Sequence, residues 1–121
     1  MPIALPAQAY DRMIFRAAEI RQSEEGTSYE TDLAEVRLAR ESFYFIKDPV
    51  TGRYNCVCLK DSARAADTLE KSEARPFVIT DKSQIKGFIE SANAADGEGV
   101  TRAISGLVRM LEAAKKKGRG Y

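Results

Sequence analysis

The chain of 121 residues contains no histidine and no tryptophan, and it has only two cysteines. Without histidine there is no Ser-His-Asp or Cys-His catalysis and no imidazole ligand for a metal. Two cysteines are too few for a disulfide framework. The sequence also lacks a GxxxxGK(S/T) phosphate loop, a GxGxxG motif and the spaced acidic ligands of a calcium loop. We therefore expect no cofactor, no metal and no enzymatic activity.

Long apolar runs and a charge excess of one sign are also missing. No run approaches the roughly 18 apolar residues that span a membrane, and the N-terminus lacks the pattern of a secretory signal. We expect a cytoplasmic protein without membrane contact. The net charge is only +1, although residues 1–41 hold five basic and eight acidic residues (−3) and residues 82–121 hold eight basic and four acidic residues (+4). A composition of 44% apolar and 31% charged residues is typical of one globular domain, here 1–121.

A β-hairpin is predicted over residues 42–60. An aromatic and β-branched run at 43–46 and a second run at 54–59 flank the turn sequence Asp48-Pro49-Val50-Thr51-Gly52. Neither face of these two strands alternates cleanly with polar residues. We therefore expect both faces to be covered, by helices of this chain or by a second subunit.

The N-terminal region has a helical pattern. Tyr10, Met13, Ile14 and Ala17 follow the i, i+3, i+4, i+7 spacing, which predicts a helix over residues 7–22. Residues 29–41 allow two interpretations. A helix capped by Thr31 or Asp32 is favoured by alanine, glutamate and arginine, whereas alternation of apolar residues in the second half of this stretch would suit an added strand.

Three further helices and one strand are predicted after the hairpin. A short helix over 63–73 precedes a strand over 75–80, which a crossover would place parallel to an earlier strand. A capping box at 81–84 opens the next helix, and a continuous apolar stripe predicts the last helix from residue 100. The expected fold class is α+β: a small three-stranded sheet, made of hairpin 42–60 and strand 75–80, packed with about five helices.

Cys56 and Cys58 form a Cys-x-Cys pair on one face of the second hairpin strand. Such a pair is half of a thiolate metal site that a second subunit would have to complete. Because the chain offers no further ligands of this kind, we interpret both as small, partly buried core residues.

These observations favour an interaction protein that binds another protein, as a homodimer. Small sheets with open edges and aromatic faces readily pair across a two-fold axis. The residues expected at the interface are Tyr44, Ile46, Tyr54 and Leu111.

The alternative is a nucleic-acid-binding accessory protein that uses the last helix and a basic tail at 115–121. Its phosphate-contacting residues would be Arg102, Arg109, Lys115, Lys116, Lys117 and Arg119. Against this alternative, the net charge is near neutral and no reader motif is present. An enzyme with an unidentified carboxylate or lysine pair comes third.

Overall fold

The structure, a computed structural model, describes residues 5–22, 24–26, 28–94, 96 and 98–116, except for the side chains of residues 115 and 116. Ten elements follow one another along these residues. They are β1 (Met13–Ala18), β2 (Arg21–Gln22), β3 (Tyr29–Glu30), β4 (Leu33–Leu38), β5 (Glu41–Lys47), β6 (Tyr54–Cys56), α1 (Leu59–Lys71), β7 (Phe77–Ile79), α2 (Lys82–Ala92) and α3 (Gly99–Lys116).

The main sheet has five strands in the order β6-β5-β4-β1-β7, and every neighbouring pair is antiparallel. The short strands β2 and β3 form a separate two-stranded ribbon. Helices α2 and α3 pack on one side of the sheet, the inner face, and α1 packs on the opposite side, the outer face. The predicted three-stranded sheet with about five helices is therefore wrong, because the described residues form five strands, a two-stranded ribbon and three helices.

The main error concerns the helix predicted over residues 7–22, which contains the strand β1 instead. The helical pattern omitted Phe15, which is fully buried in the core. In a strand, Met13, Phe15 and Ala17 share one face, and all three are buried on the inner side of the sheet. Alternation with period two, and not the 3.6-residue period, is thus the pattern that the fold uses here.

Residues 33–38 form the strand that was the second interpretation of this region. Ala34 and Val36 lie in the inner core, and Leu33 packs on the outer side. The strand is paired on both edges, with β1 and with β5. This double pairing outweighs the helix propensity of the alanine, glutamate and arginine residues.

The hairpin is present but shorter than predicted. Its turn has the expected chemistry, since Asp48 Oδ1 accepts a hydrogen bond of 2.8 Å from Val50 N and Gly52 adopts a φ of 75°. The second strand ends at Cys56, and helix α1 begins at Leu59. The predicted run through residue 59 is therefore strand only in its first half.

The remaining helices follow the sequence closely. Asp81 caps α2 by accepting hydrogen bonds from Ser83 N and Gln84 N. The apolar stripe of α3 is buried against α2 and the inner face. The strand predicted over 75–80 is present as β7 at the end of the sheet, but it pairs antiparallel with β1, so its predicted parallel placement is wrong.

Candidate interaction surface

The outer face of the sheet is only partly covered. At one end, α1 buries Ala18 and Leu33 beneath Ala65 and Leu69, and these four side chains form a second, smaller core. At the other end, four residues extend beyond this cluster, and we call them the open end of the outer face. They are Ile14, Arg37, Ser42 and Val78.

A buried ion pair separates the covered end from the open end. Glu35 on β4 is 2% exposed, and its Oε1 accepts a hydrogen bond of 2.7 Å from Arg16 Nε on β1. The two residues face each other in register across the β1–β4 pair. The second guanidinium contact of Arg16 reaches Glu70 of α1, at 3.4 Å between Nη1 and Oε1. The pair thus links the sheet to the helix that covers it.

Burial raises the pKa of Glu35, but the hydrogen bond from Arg16 and the nearby hydroxyls of Ser42 and Tyr44 outweigh it, so the pKa is lowered overall. The second carboxylate oxygen of Glu35, Oε2, is buried and has no hydrogen-bond partner among the described residues. Neither of the two hydroxyls therefore forms a hydrogen bond with it. Burial and the Glu35 carboxylate raise the pKa of Tyr44. At neutral pH the site therefore contains an ionised carboxylate, a guanidinium and a neutral phenol.

The open end combines apolar and cationic groups. Val78 on the edge strand β7 is 49% exposed and lies directly opposite Ile14, which is half-buried. Beside them on β4, Arg37 is exposed and donates a hydrogen bond of 3.2 Å from Nε to Ser42 Oγ. This surface can make apolar contact at the sheet edge and polar contact further in.

The four predicted interface residues occupy different environments. Ile46 is 43% exposed on the outer face, and Tyr44 is half-buried there beside Glu35. Tyr54 is buried, and its hydroxyl donates to Thr31 O at 2.6 Å and accepts from Thr31 N at 3.1 Å. Leu111 is buried in the inner core. Of the four, only Tyr44 and Ile46 thus lie on the outer face of the sheet.

The predicted phosphate-binding residues are only partly within the described chain. Arg102 is exposed and forms ion pairs with Asp96 and Glu98. Arg109 is exposed on α3. The side chains of Lys115 and Lys116, and the whole of Lys117 and Arg119, lie outside the described residues.

The two cysteines do not share a strand face. Cys56 is half-buried at the end of β6, whereas Cys58 is exposed at the start of α1, 3.1 Å from Asp61 Oδ2. In the described part of the chain no group of three or more histidine, cysteine, aspartate or glutamate side chains is arranged to hold a metal. Nor is any helix in that part long and apolar enough to cross a membrane.

Two grooves lie near the start of β1. One, of about 350 Å³, lies between residues 7–10 and α2, and its lining includes Ile85, Lys86 and Ile89. The other, of about 740 Å³, is more open and includes Arg12, Arg37 and Thr80. The second groove adjoins the open end of the outer face.

Comparison with models of protein families, with curated proteins and with solved structures finds no match to this chain. A function can therefore be inferred only from the geometry of the surface. Sequence reasoning missed Arg16 and Glu35, because they meet only through the β1–β4 register. The available signal was a charged residue at the centre of each apolar strand.

Proposed function

We propose that the protein is a non-catalytic interaction protein that binds another protein and acts as a homodimer. The observation that carries this proposal is the open end of the outer face, where Val78 and Ile14 form a cross-strand apolar pair at the sheet edge beyond the cover of α1. Apolar groups at the edge of a sheet are a common place for pairing with another chain.

The protonation states at the Arg16–Glu35 site favour a structural role for these residues. A general acid or base works best with a pKa near the operating pH. The pKa of Glu35 is lowered and that of Tyr44 is raised, so both move away from neutrality. The ion pair instead fixes the outer face in one arrangement, which suits a binding surface.

Light-scattering mass across a sizing column, at low and at high salt, tests the proposal. We expect a dimer at both salt concentrations, because the contact we propose is mainly apolar and salt screens charged contacts. Absorbance at 260 and 280 nm should show a protein spectrum without nucleic acid. Because the chain has five tyrosines and no tryptophan, its own absorbance is weak and bound nucleic acid would be plainly visible. A monomer at every concentration and salt would contradict the proposal.

The same experiment separates the nucleic-acid alternative. A protein that binds phosphates through lysine and arginine loses affinity steeply as salt rises. A monomer that carries material absorbing at 260 nm at low salt and releases it at high salt would replace our proposal with that alternative.

A further inference from the structure

The direction of the backbone groups on β7 follows from the sheet register. In an antiparallel ladder, the N–H and C=O of one residue point to the same neighbouring strand, and successive residues point to opposite sides. Lys47 N donates to Asp32 O at 3.0 Å, in register with the β4–β5 pairing. The even-numbered residues of β4 therefore point to β5, and its odd-numbered residues, such as Glu35, point to β1.

The same alternation continues across β1. Glu35 pairs with Arg16, so Arg16 points to β4 and its neighbour Phe15 points to β7. Phe15 pairs with Phe77. The backbone N–H and C=O groups of Phe77 and Ile79 consequently point to β1 and bond it. Those of Val78 point away from the sheet.

This outward edge is exposed. The side chains of Pro76, Val78 and Thr80 are all exposed, and β7 is the last strand of the sheet. Pro76 has no N–H, so along this edge it offers only its carbonyl. The edge thus presents a short pattern of a carbonyl at residue 76, then a donor and an acceptor at each of residues 78 and 80.

The pattern is complementary to itself when reversed. If two copies of β7 pair antiparallel about a two-fold axis at Val78, the two Val78 residues exchange two hydrogen bonds. In the same register, Thr80 N–H of each copy meets the carbonyl of Pro76 in the other copy. Because Pro76 has no N–H, the carbonyl of Thr80 in the other copy lacks a donor. The hydrogen bonds lost in this way lie only at the two ends of the paired edge.

Side chains select this register over its neighbours. With Val78 at the axis, Arg75 lies opposite Asp81 of the second copy, and opposite charges across a strand pair are stabilising. Shifting the axis to Phe77 pairs Val78 with Pro76, which has no N–H to donate to the Val78 carbonyl. Shifting it to Ile79 places Phe77 opposite Asp81, whose side chain caps α2.

We infer that the second copy of the proposed homodimer docks on β7, forming a continuous ten-stranded antiparallel sheet centred on Val78. On the outer face, Ile14 and Val78 of each copy then form one apolar row of four side chains across the axis. On the inner face, Phe77, which is half-buried in one chain, lies opposite Ile79 of the second copy. The inference rests on the proposed homodimer and names its contact.

Light scattering on variants tests the contact. Val78→Lys places two ammonium groups at the axis, and Val78→Pro removes the central N–H without touching a bond to β1. We expect the dissociation constant of both variants to rise at least tenfold. Val50→Lys is the matched control, because Val50 is exposed in the hairpin turn, and its dimer should match that of the wild type.

Disulfide trapping tests the register. Residues directly opposite each other in a hydrogen-bonded antiparallel pair have Cα atoms about 5.5 Å apart, within the range of about 4.4–6.8 Å that a disulfide spans. In a Cys56→Ser, Cys58→Ser background, Val78→Cys should form a covalent dimer on mild oxidation. Val50→Cys in the same background should form far less.

The outcomes separate this inference from the proposed function. A wild-type dimer that Val78→Lys dissociates and Val50→Lys does not, together with efficient Val78→Cys trapping, supports the inference. A wild-type dimer that both Val78 variants leave intact overturns the β7 contact while the homodimer stands. A wild-type monomer, including one whose β7 edge pairs with an extended peptide of another protein, overturns both the inference and the homodimer.

Discussion

Among the described residues Glu35 is the one buried carboxylate, and its charge is tolerated because Arg16 lies in register beside it. Removing one partner of a buried pair leaves the other charge uncompensated, which costs far more than the pair itself contributes. Arg16 retains a second contact with Glu70 on the surface of α1. The cost of losing Glu35 should therefore be smaller than for a fully enclosed pair.

Glu35→Gln should lower the free energy of unfolding at pH 7 by about 2 kcal/mol. Because the folded pKa of Glu35 lies below its ordinary value of 4.5, the carboxylate stabilises the fold above that value. This stabilisation is lost as the pH falls through 4.5 towards the folded pKa. The difference between the variant and the wild type should thus shrink in acid.

Urea denaturation of both proteins between neutral and acidic pH measures this effect. Glu41→Gln, an exposed position on the neighbouring strand β5, is the control and should change stability little. A constant difference between Glu35→Gln and the wild type across the acidic range would contradict the assignment of the charge as the stabilising group.

Local sequence patterns predict some elements of this fold and not others. The hairpin turn and the Asp81 cap each depend on neighbours within a few residues, and the structure contains both. Strand β1 depends on β4 and β7, which flank it in space but not in sequence. A stretch such as Met13–Ala18 carries both helical and alternating patterns, so only its distant partners decide between them.

One turn carries strain that a substitution can relieve. Ala39 begins the two-residue connection between β4 and β5 with a φ of 56°. A positive φ at this turn position favours glycine, because the Cβ of other residues is crowded there. The turn is therefore formed at a cost that the β4–β5 pairing outweighs.

Ala39→Gly should raise the free energy of unfolding by about 1 kcal/mol, since it removes that crowding. Ala63→Gly is the matched control, because Ala63 is exposed within α1, where glycine costs about 1 kcal/mol. Chemical denaturation should give shifts of opposite sign for the same substitution. Equal losses at both sites would show that the Ala39 turn is not strained.

At the scale of the whole molecule, the chain closes its sheet with a late strand. Helix α1 crosses the outer face from β6 at one edge to β7 at the other, so residues 77–79 pair with residues 13–15. The open end of the outer face and the free edge of β7 both result from this crossing. No local pattern contains that information, which is why Val78 could be placed on a strand from sequence but not at a sheet edge.

The start of the described chain is joined to its last third in the same way. Asn93, at the end of α2, accepts a hydrogen bond of 2.8 Å from Leu5 N and donates one of 3.1 Å to Leu5 O. The side chain of Leu5 is buried in the inner core. One amide side chain therefore satisfies both backbone groups of a core residue 88 positions away.

Asn93→Ala should lower the free energy of unfolding by about 1–2 kcal/mol, because it leaves both backbone groups of Leu5 without this partner. The end of α2 itself should persist, since Asn93 uses its backbone N–H to bond Ile89 O, and alanine supplies the same group. Amide hydrogen exchange should show faster exchange at Leu5, with α2 unchanged. Asn55→Ala, exposed on β6, should alter neither. Unchanged exchange at Leu5 in Asn93→Ala would mean that the N-terminal segment is held by its apolar contacts alone, and that Asn93 does not join the start of the described chain to its last third.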